Sequence, residues 1–185
     1  MNLVKASSNR VVTKAIPFCL KGTDGSMWDL ARVKKSNGLL VMFLSNHCPY
    51  VKSIIEQLVH DCKWLLAREI GCVAIMPNDV ESYPEDSFEN MQIFSEQHKF
   101  NFPYLLDLTQ KTARDYTAIC TPDFFGYNSN LQLQYHGRFD DNDVDTPHSN
   151  STHELLNAML EIAKSDNYTK AQHPSSGSSI KWRSL

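Results

Sequence analysis

The sequence predicts an α/β domain, a central mixed sheet flanked by helices, and three observations carry that expectation. Residues 39–44 are an unbroken apolar run, which reads as a strand buried on both faces. Directly after it, apolar side chains recur at Val51, Ile54, Ile55, Leu58, Val59, Cys62, Leu65 and Leu66. Steps of three and four residues mark one face of a helix. A second buried run, 72–76, completes a strand–helix–strand unit, which crosses over right-handed by default.

The other elements follow in chain order. Residues 1–15 are polar and mixed and read as a loosely held lead-in. Phe18 and Leu20 alternate with Cys19 before the turn signal Gly22-Thr23-Asp24-Gly25, and Trp28 and Leu30 follow, as in a hairpin. The helix after the first core strand is expected over about 48–69, ended by Gly71. Asp86 with Glu89 reads as the capping start of a second helix, with Phe88, Met91 and Phe94 turned inward. A short apolar piece at 102–106 and a brief helix near 110–118, carrying Ala113 and Tyr116 inward, precede Cys120-Thr121-Pro122-Asp123. Asn128-Ser129-Asn130 is a turn, and Leu131, Leu133 and Tyr135 alternate as the returning strand. An acidic loop at 140–145 leads to Ser151-Thr152-His153-Glu154, read as a capping box, and to a last helix with Leu155, Leu156, Met159, Leu160 and Ala163 on one face. The expected division is one domain over 1–165 and an extended tail, 166–185, whose end packs back on it.

Composition narrows the function classes. A net charge of −3 with 21% charged residues gives no reason to expect nucleic-acid or anionic-membrane binding. The N-terminus lacks the apolar core of a signal peptide, and no apolar run approaches the ~20 residues of a membrane span. A cytoplasmic protein is expected. Five cysteines without zinc-type spacing argue against a disulfide framework in a reducing compartment. Cys62 and Cys72 read as core filler and Cys19 as a solvent-side strand residue.

Cys48 stands apart. It sits where the strand ends and the helix begins, and Pro49 suits the first helical turn because its missing N–H costs nothing there. First-turn amides and the helix dipole stabilise negative charge, so a reactive thiolate is expected. A buried structural cysteine is the ordinary alternative.

Phe43-Leu44-Ser45-Asn46-His47-Cys48-Pro49-Tyr50-Val51 resembles the active-site turn of thioredoxin-like proteins, in particular the redoxin branch grouped with alkyl hydroperoxide reductase and thiol-specific antioxidant proteins. Cys-Pro-Tyr-Val is similar to the Cys-Pro-Tyr-Cys of glutaredoxins, with Val51 in place of the second cysteine. The resemblance continues through 82–87, 102–107, 120–125 and 177–182. It implies a thioredoxin-like fold with redoxin-type N-terminal strands and an insertion after the second core strand.

It also implies site roles. Asn46 and His47 shape the turn and tune the sulfur. Thr121-Pro122 matches the cis-proline loop that faces the active cysteine and orients the substrate, and Ser45, Pro49 and Arg138 complete the expected substrate-binding set. Cys120 is a candidate resolving cysteine, and many similar chains carry a cysteine at the position of Ser178. The implied chemistry is thiol exchange at Cys48 on a disulfide or peroxide, without a cofactor, reset by an external thiol reductant such as thioredoxin or a low-molecular-weight thiol. A peroxidase proper is an alternative: Ser45 keeps the hydroxyl of the peroxiredoxin motif and Arg138 is the candidate cation, whereas Val41 stands where that motif has proline. Two further alternatives are a non-catalytic binding module and a copper or zinc site built on His47-Cys48 with Cys120 or Asp123. The acidic loop lacks the glycine and terminal glutamate of a calcium-binding EF-hand loop.

Overall fold

Strand alternation along the central run explains the architecture. Leu40 and Met42 enter one core, while Leu39, Val41 and Phe43 enter the other. A strand apolar at every position therefore has to lie between two layers of packing. The computed structural model describes residues 2–6, 13–142 and 151–184. In chain order the strands and helices are β1 (Leu3–Lys5), β2 (Cys19–Gly22), β3 (Met27–Asp29), α1 (Leu30–Val33), β4 (Leu39–Phe43), α2 (Pro49–Leu66) and β5 (Gly71–Met76). There follow α3 (Phe88–Gln97), β6 (Tyr104–Leu106), α4 (Lys111–Asp115), β7 (Cys120–Thr121), β8 (Asp123–Tyr127), β9 (Leu133–Gly137), α5 (Glu154–Ser165) and β10 (Ser176–Ser179).

The main sheet has the order β3-β2-β6-β5-β4-β8-β9. β4, β5 and β6 run parallel, and antiparallel strands flank them on both sides. This is the mixed sheet that the sequence predicts. One face packs Met42, Leu58, Met76, Phe124 and Met159 together; the other packs Val41, Ile75, Ala113, Tyr116 and Phe125. Cys62 and Cys72 are buried on the first face, and Cys19 is exposed.

A second, three-stranded sheet runs β1-β10-β7. Its first strand corrects the loose lead-in expected for 1–15: Leu3, Val4 and Lys5 pair with Ser178, Gly177 and Ser176. Within the tail, Ser178 and Ser179 pair antiparallel with Thr121 and Cys120.

Several boundaries shift for identifiable reasons. α2 stops at Leu66, and the reversal is made by Glu69 in the left-handed region (φ 59°). Gly71 is needed for a different purpose: a Cβ there would lie 2.0 Å from the Val33 carbonyl oxygen. Leu131 also adopts a left-handed φ of 58°, so the return strand begins at Leu133. α3 starts at Phe88 with Ser87 as its cap, whose hydroxyl accepts from the Asn90 amide, and Asp86 lies in a preceding 3-10 turn, Pro84–Asp86. The expected capping box at Glu154 does not form; the cap is His153, without a side-chain hydrogen bond. Of the acidic loop, Asp143 and Asp145 fall outside the described residues. Among the described residues no helix is long and apolar enough to cross a membrane.

Candidate active site

The site lies where the C-terminal end of β4 meets the N-terminus of α2. Ser45, Asn46 and His47 are the last residues before the helix, Cys48 is its cap, and Pro49 occupies the first turn. A tight turn stacks their polar groups in one place, and each needs a partner because Ser45 and Asn46 are buried. That partner is Asp86, from the 3-10 turn 41 residues on and wholly buried. Its carboxylate accepts from Ser45 Oγ (3.1 and 3.0 Å), the Asn46 amide (2.9 Å) and the His47 amide (3.4 Å). It also binds His47 Nδ1 (2.7 Å) and Asn78 Nδ2 (2.7 Å).

Burial pushes the Asp86 carboxyl up, but the hydrogen bonds from His47, Asn78 and Ser45 outweigh it and hold the group below the ordinary carboxylate value. An ionised carboxylate only accepts, so His47 carries its proton on Nδ1, and Nε2 is turned away from Asp86. The imidazole lies parallel to the Tyr83 ring, with centroids 5.8 Å apart and planes within 7°. Asn46 is fixed at both ends of its amide: Nδ2 donates to the Glu85 carbonyl (3.1 Å) and Oδ1 accepts from Tyr104 Oη (2.7 Å). Burial, and next the charges of Asp86 and Cys48, push the Tyr104 hydroxyl up, so it stays a donor.

Cys48 itself is fully buried. The sequence points to a sulfur served by first-turn amides, yet the side chain makes no cap hydrogen bond to them. Sγ lies 3.1 Å from the Thr121 carbonyl oxygen and 3.3 Å from Ser178 Oγ. The Thr121–Pro122 peptide bond is cis, and this bend forms the wall opposite the sulfur. Cys120, one residue earlier, is buried with Sγ 3.7 Å from the Pro122 carbonyl. Burial, and then the negative charges of Asp123 and Cys48, push its thiol well up.

Thus the fold brings together Ser45, Asn46, His47, Cys48, Pro49, Thr121 and Pro122. Arg138 is engaged by Glu154: Nε and Nη2 bind its carboxylate at 2.9 and 2.7 Å. Its expected role as the cation beside the sulfur meets a guanidinium already paired. Sequence reasoning missed Asp86, Asn78 and Tyr104. Asp86 had a weak local signal, being one of two acidic residues within the stretch 82–87 that resembles the redoxins.

Among the described residues no group of three or more His, Cys, Asp and Glu side chains is placed to hold a metal ion. Asp123, the other expected ligand, is bound to His136 Nε2 at 3.0 Å.

The AhpC/TSA family model matches residues 11–138. The chain belongs to that family. A crystal structure of an uncharacterised conserved protein from Geobacillus kaustophilus is 37% identical, with a TM-score of 0.92, over 99% of this chain and 97% of that one. A hypothetical protein from Sinorhizobium meliloti is 35% identical, with a TM-score of 0.89, over 98% of this chain and 99% of that one. The thioredoxin domain of a thiol-disulfide oxidoreductase from Bacteroides vulgatus has a TM-score of 0.62 at 12% identity, over 84% and 99%, and shares the fold. No curated protein matches the chain. The fold of this AhpC/TSA protein is thioredoxin-like, and its family is one of thiol-based oxidoreductases and peroxidases in general terms.

Proposed function

We propose that this AhpC/TSA protein is a thiol-disulfide oxidoreductase with Cys48 as nucleophile. The observation that carries the reading is the placement of Sγ 3.1 Å from the Thr121 carbonyl, at the Thr121–Pro122 bend, beneath a turn pinned by Asp86. The Cys48 thiolate attacks one sulfur of a substrate disulfide. That S–S bond breaks, a bond to Cys48 forms, and the second sulfur leaves as a thiolate that takes a proton from water. One thiol of an external dithiol then attacks Cys48 Sγ in the mixed disulfide and frees the remaining substrate half as a thiol. Its second thiol attacks the Cys48–reductant disulfide, releasing the Cys48 thiolate and the reductant as its own disulfide. Resolution by an external thiol fits better than resolution by Cys120, because a thiol with a raised pKa is seldom ionised and attacks slowly.

Peroxide is the less favoured substrate. The Ser45 hydroxyl is committed to Asp86 and Arg138 to Glu154, so neither group expected to polarise a peroxide is free to do so. In the test, the full chain turns over a disulfide-linked peptide with dithiothreitol as reductant. Cys48→Ser is expected to fall to the uncatalysed background and Cys72→Ser to keep its activity. Equal turnover by the two variants would refute the reading.

A further inference from the structure

The reacting sulfur has no open face, and the group that covers it is the chain's own tail. Ser178 of β10 stands 3.3 Å from Sγ, and its backbone pairs with Thr121, the residue whose carbonyl lies 3.1 Å from the same sulfur. Gly177 is pressed on the bend so closely that a Cβ would lie 2.1 Å from the Thr121 oxygen and 3.1 Å from Pro122 Cδ. We propose that β10 fills the slot of an extended polypeptide substrate, so that Cys48 stays masked until a cysteine-bearing strand displaces it.

The composition of the covering strand supports displacement. β10 is Ser-Gly-Ser-Ser, with no apolar side chain to hold it and poor strand-forming residues throughout. Its outer neighbour β1 is three residues long, with Leu3 exposed. The anchors lie beyond it. Ile180 is buried, the Lys181 amide donates to Asn78 Oδ1 (2.9 Å), and the Lys181 carbonyl accepts from the Asp79 amide (2.9 Å) and Gln110 Nε2 (2.8 Å). β10 can therefore peel away while 180–183 stay fixed.

The class of the displacing molecule follows from what peeling exposes. Thr121 is buried, so its backbone groups need a partner whenever β10 leaves. An extended peptide supplies one by strand addition; a peroxide or a free small thiol does not. A cavity of about 380 Å³ beside Tyr50, Pro122 and Phe124 runs along the start of β10 at Ser175 and Ser176, and offers the incoming chain room to enter.

This inference rests on the oxidoreductase reading, but its test is independent of turnover. Native full-length protein is treated with iodoacetamide, and labelling of each cysteine is followed by peptide mapping. Cys48 is expected to label at least about tenfold more slowly than Cys19, and Gly177→Val to raise the Cys48 rate at least about tenfold while Cys62 and Cys72 stay protected. Wild-type Cys48 labelling as fast as Cys19, or an unchanged rate in a folded Gly177→Val protein, would overturn the mask. If Gly177→Val unfolds, shown by labelling of Cys62 and Cys72, Ser178→Cys replaces it. Mild oxidation of that variant is expected to form a disulfide between positions 48 and 178, and failure to form it would count against the mask. For the substrate class, a thionitrobenzoate disulfide of a cysteine peptide should modify wild-type Cys48 at least about tenfold faster than that of free cysteine, with the two rates converging in Gly177→Val. Equal wild-type rates would overturn the polypeptide assignment and leave Cys48 reactivity standing.

Discussion

Cys48 is held from two sides that are built differently. On the turn side, one buried carboxylate gathers donors from Ser45, Asn46, His47 and Asn78. On the tail side, the cover is a strand of serines and glycine held through its backbone. A buried ionic network loses several kcal/mol when one member goes, whereas a serine strand loses backbone pairs that another strand restores. The contrast separates a fixed half, which sets the position of the sulfur, from a replaceable half, which sets who reaches it. Asn78 joins the two, since Nδ2 donates to Asp86 and Oδ1 accepts from the Lys181 amide.

The largest break in this picture is chemical. Cys48→Ser should remove disulfide turnover altogether in the peptide assay above. Next comes the fixed half. Asp86→Ala strands donors on four buried or half-buried residues and should cost about 3–5 kcal/mol in a urea titration. Asp86→Asn should cost less, because one side-chain oxygen still accepts. Either variant should also lower turnover, since the turn that presents the sulfur loses its tether.

Acid should act on the same half. The folded Asp86 carboxyl titrates below its unfolded counterpart, near ~3.9, so its contribution is complete above that pH and fades as pH falls through the folded value. Wild-type stability should therefore drop below about pH 4 more steeply than that of Asp86→Asn, as read by denaturant midpoints across pH. The smallest effect is expected at Arg138, a third exposed and paired with Glu154. Arg138→Met should cost ~1 kcal/mol or less in the same titration. A selective loss of peroxide consumption in that variant would instead revive the peroxidase reading.

What could be read from the chain was local. The β4–α2 junction announces itself because an apolar run and a helical period abut at Cys48. Thr121-Pro122 was legible through resemblance, and the turn of β8 into β9 through Asn128-Ser129-Asn130. Asp86 was not, because an acidic residue ahead of Phe88 and Glu89 looks like a helix cap, and its real partners lie 39–41 residues upstream. The Ser178 contact spans 130 residues, and serine carries no periodic signal that would align it with Cys48. Glu154 was misread for a similar reason: its capping geometry loses to a charged pair with Arg138 that only the folded hairpin brings near.

The most direct measurement is to offer the native protein a thionitrobenzoate disulfide of an extended cysteine peptide and map the adduct. The account predicts the peptide on Cys48, although Cys19 is exposed and Cys48 is covered by β10. A peptide found on Cys19 alone, with Cys48 unmodified, would contradict it.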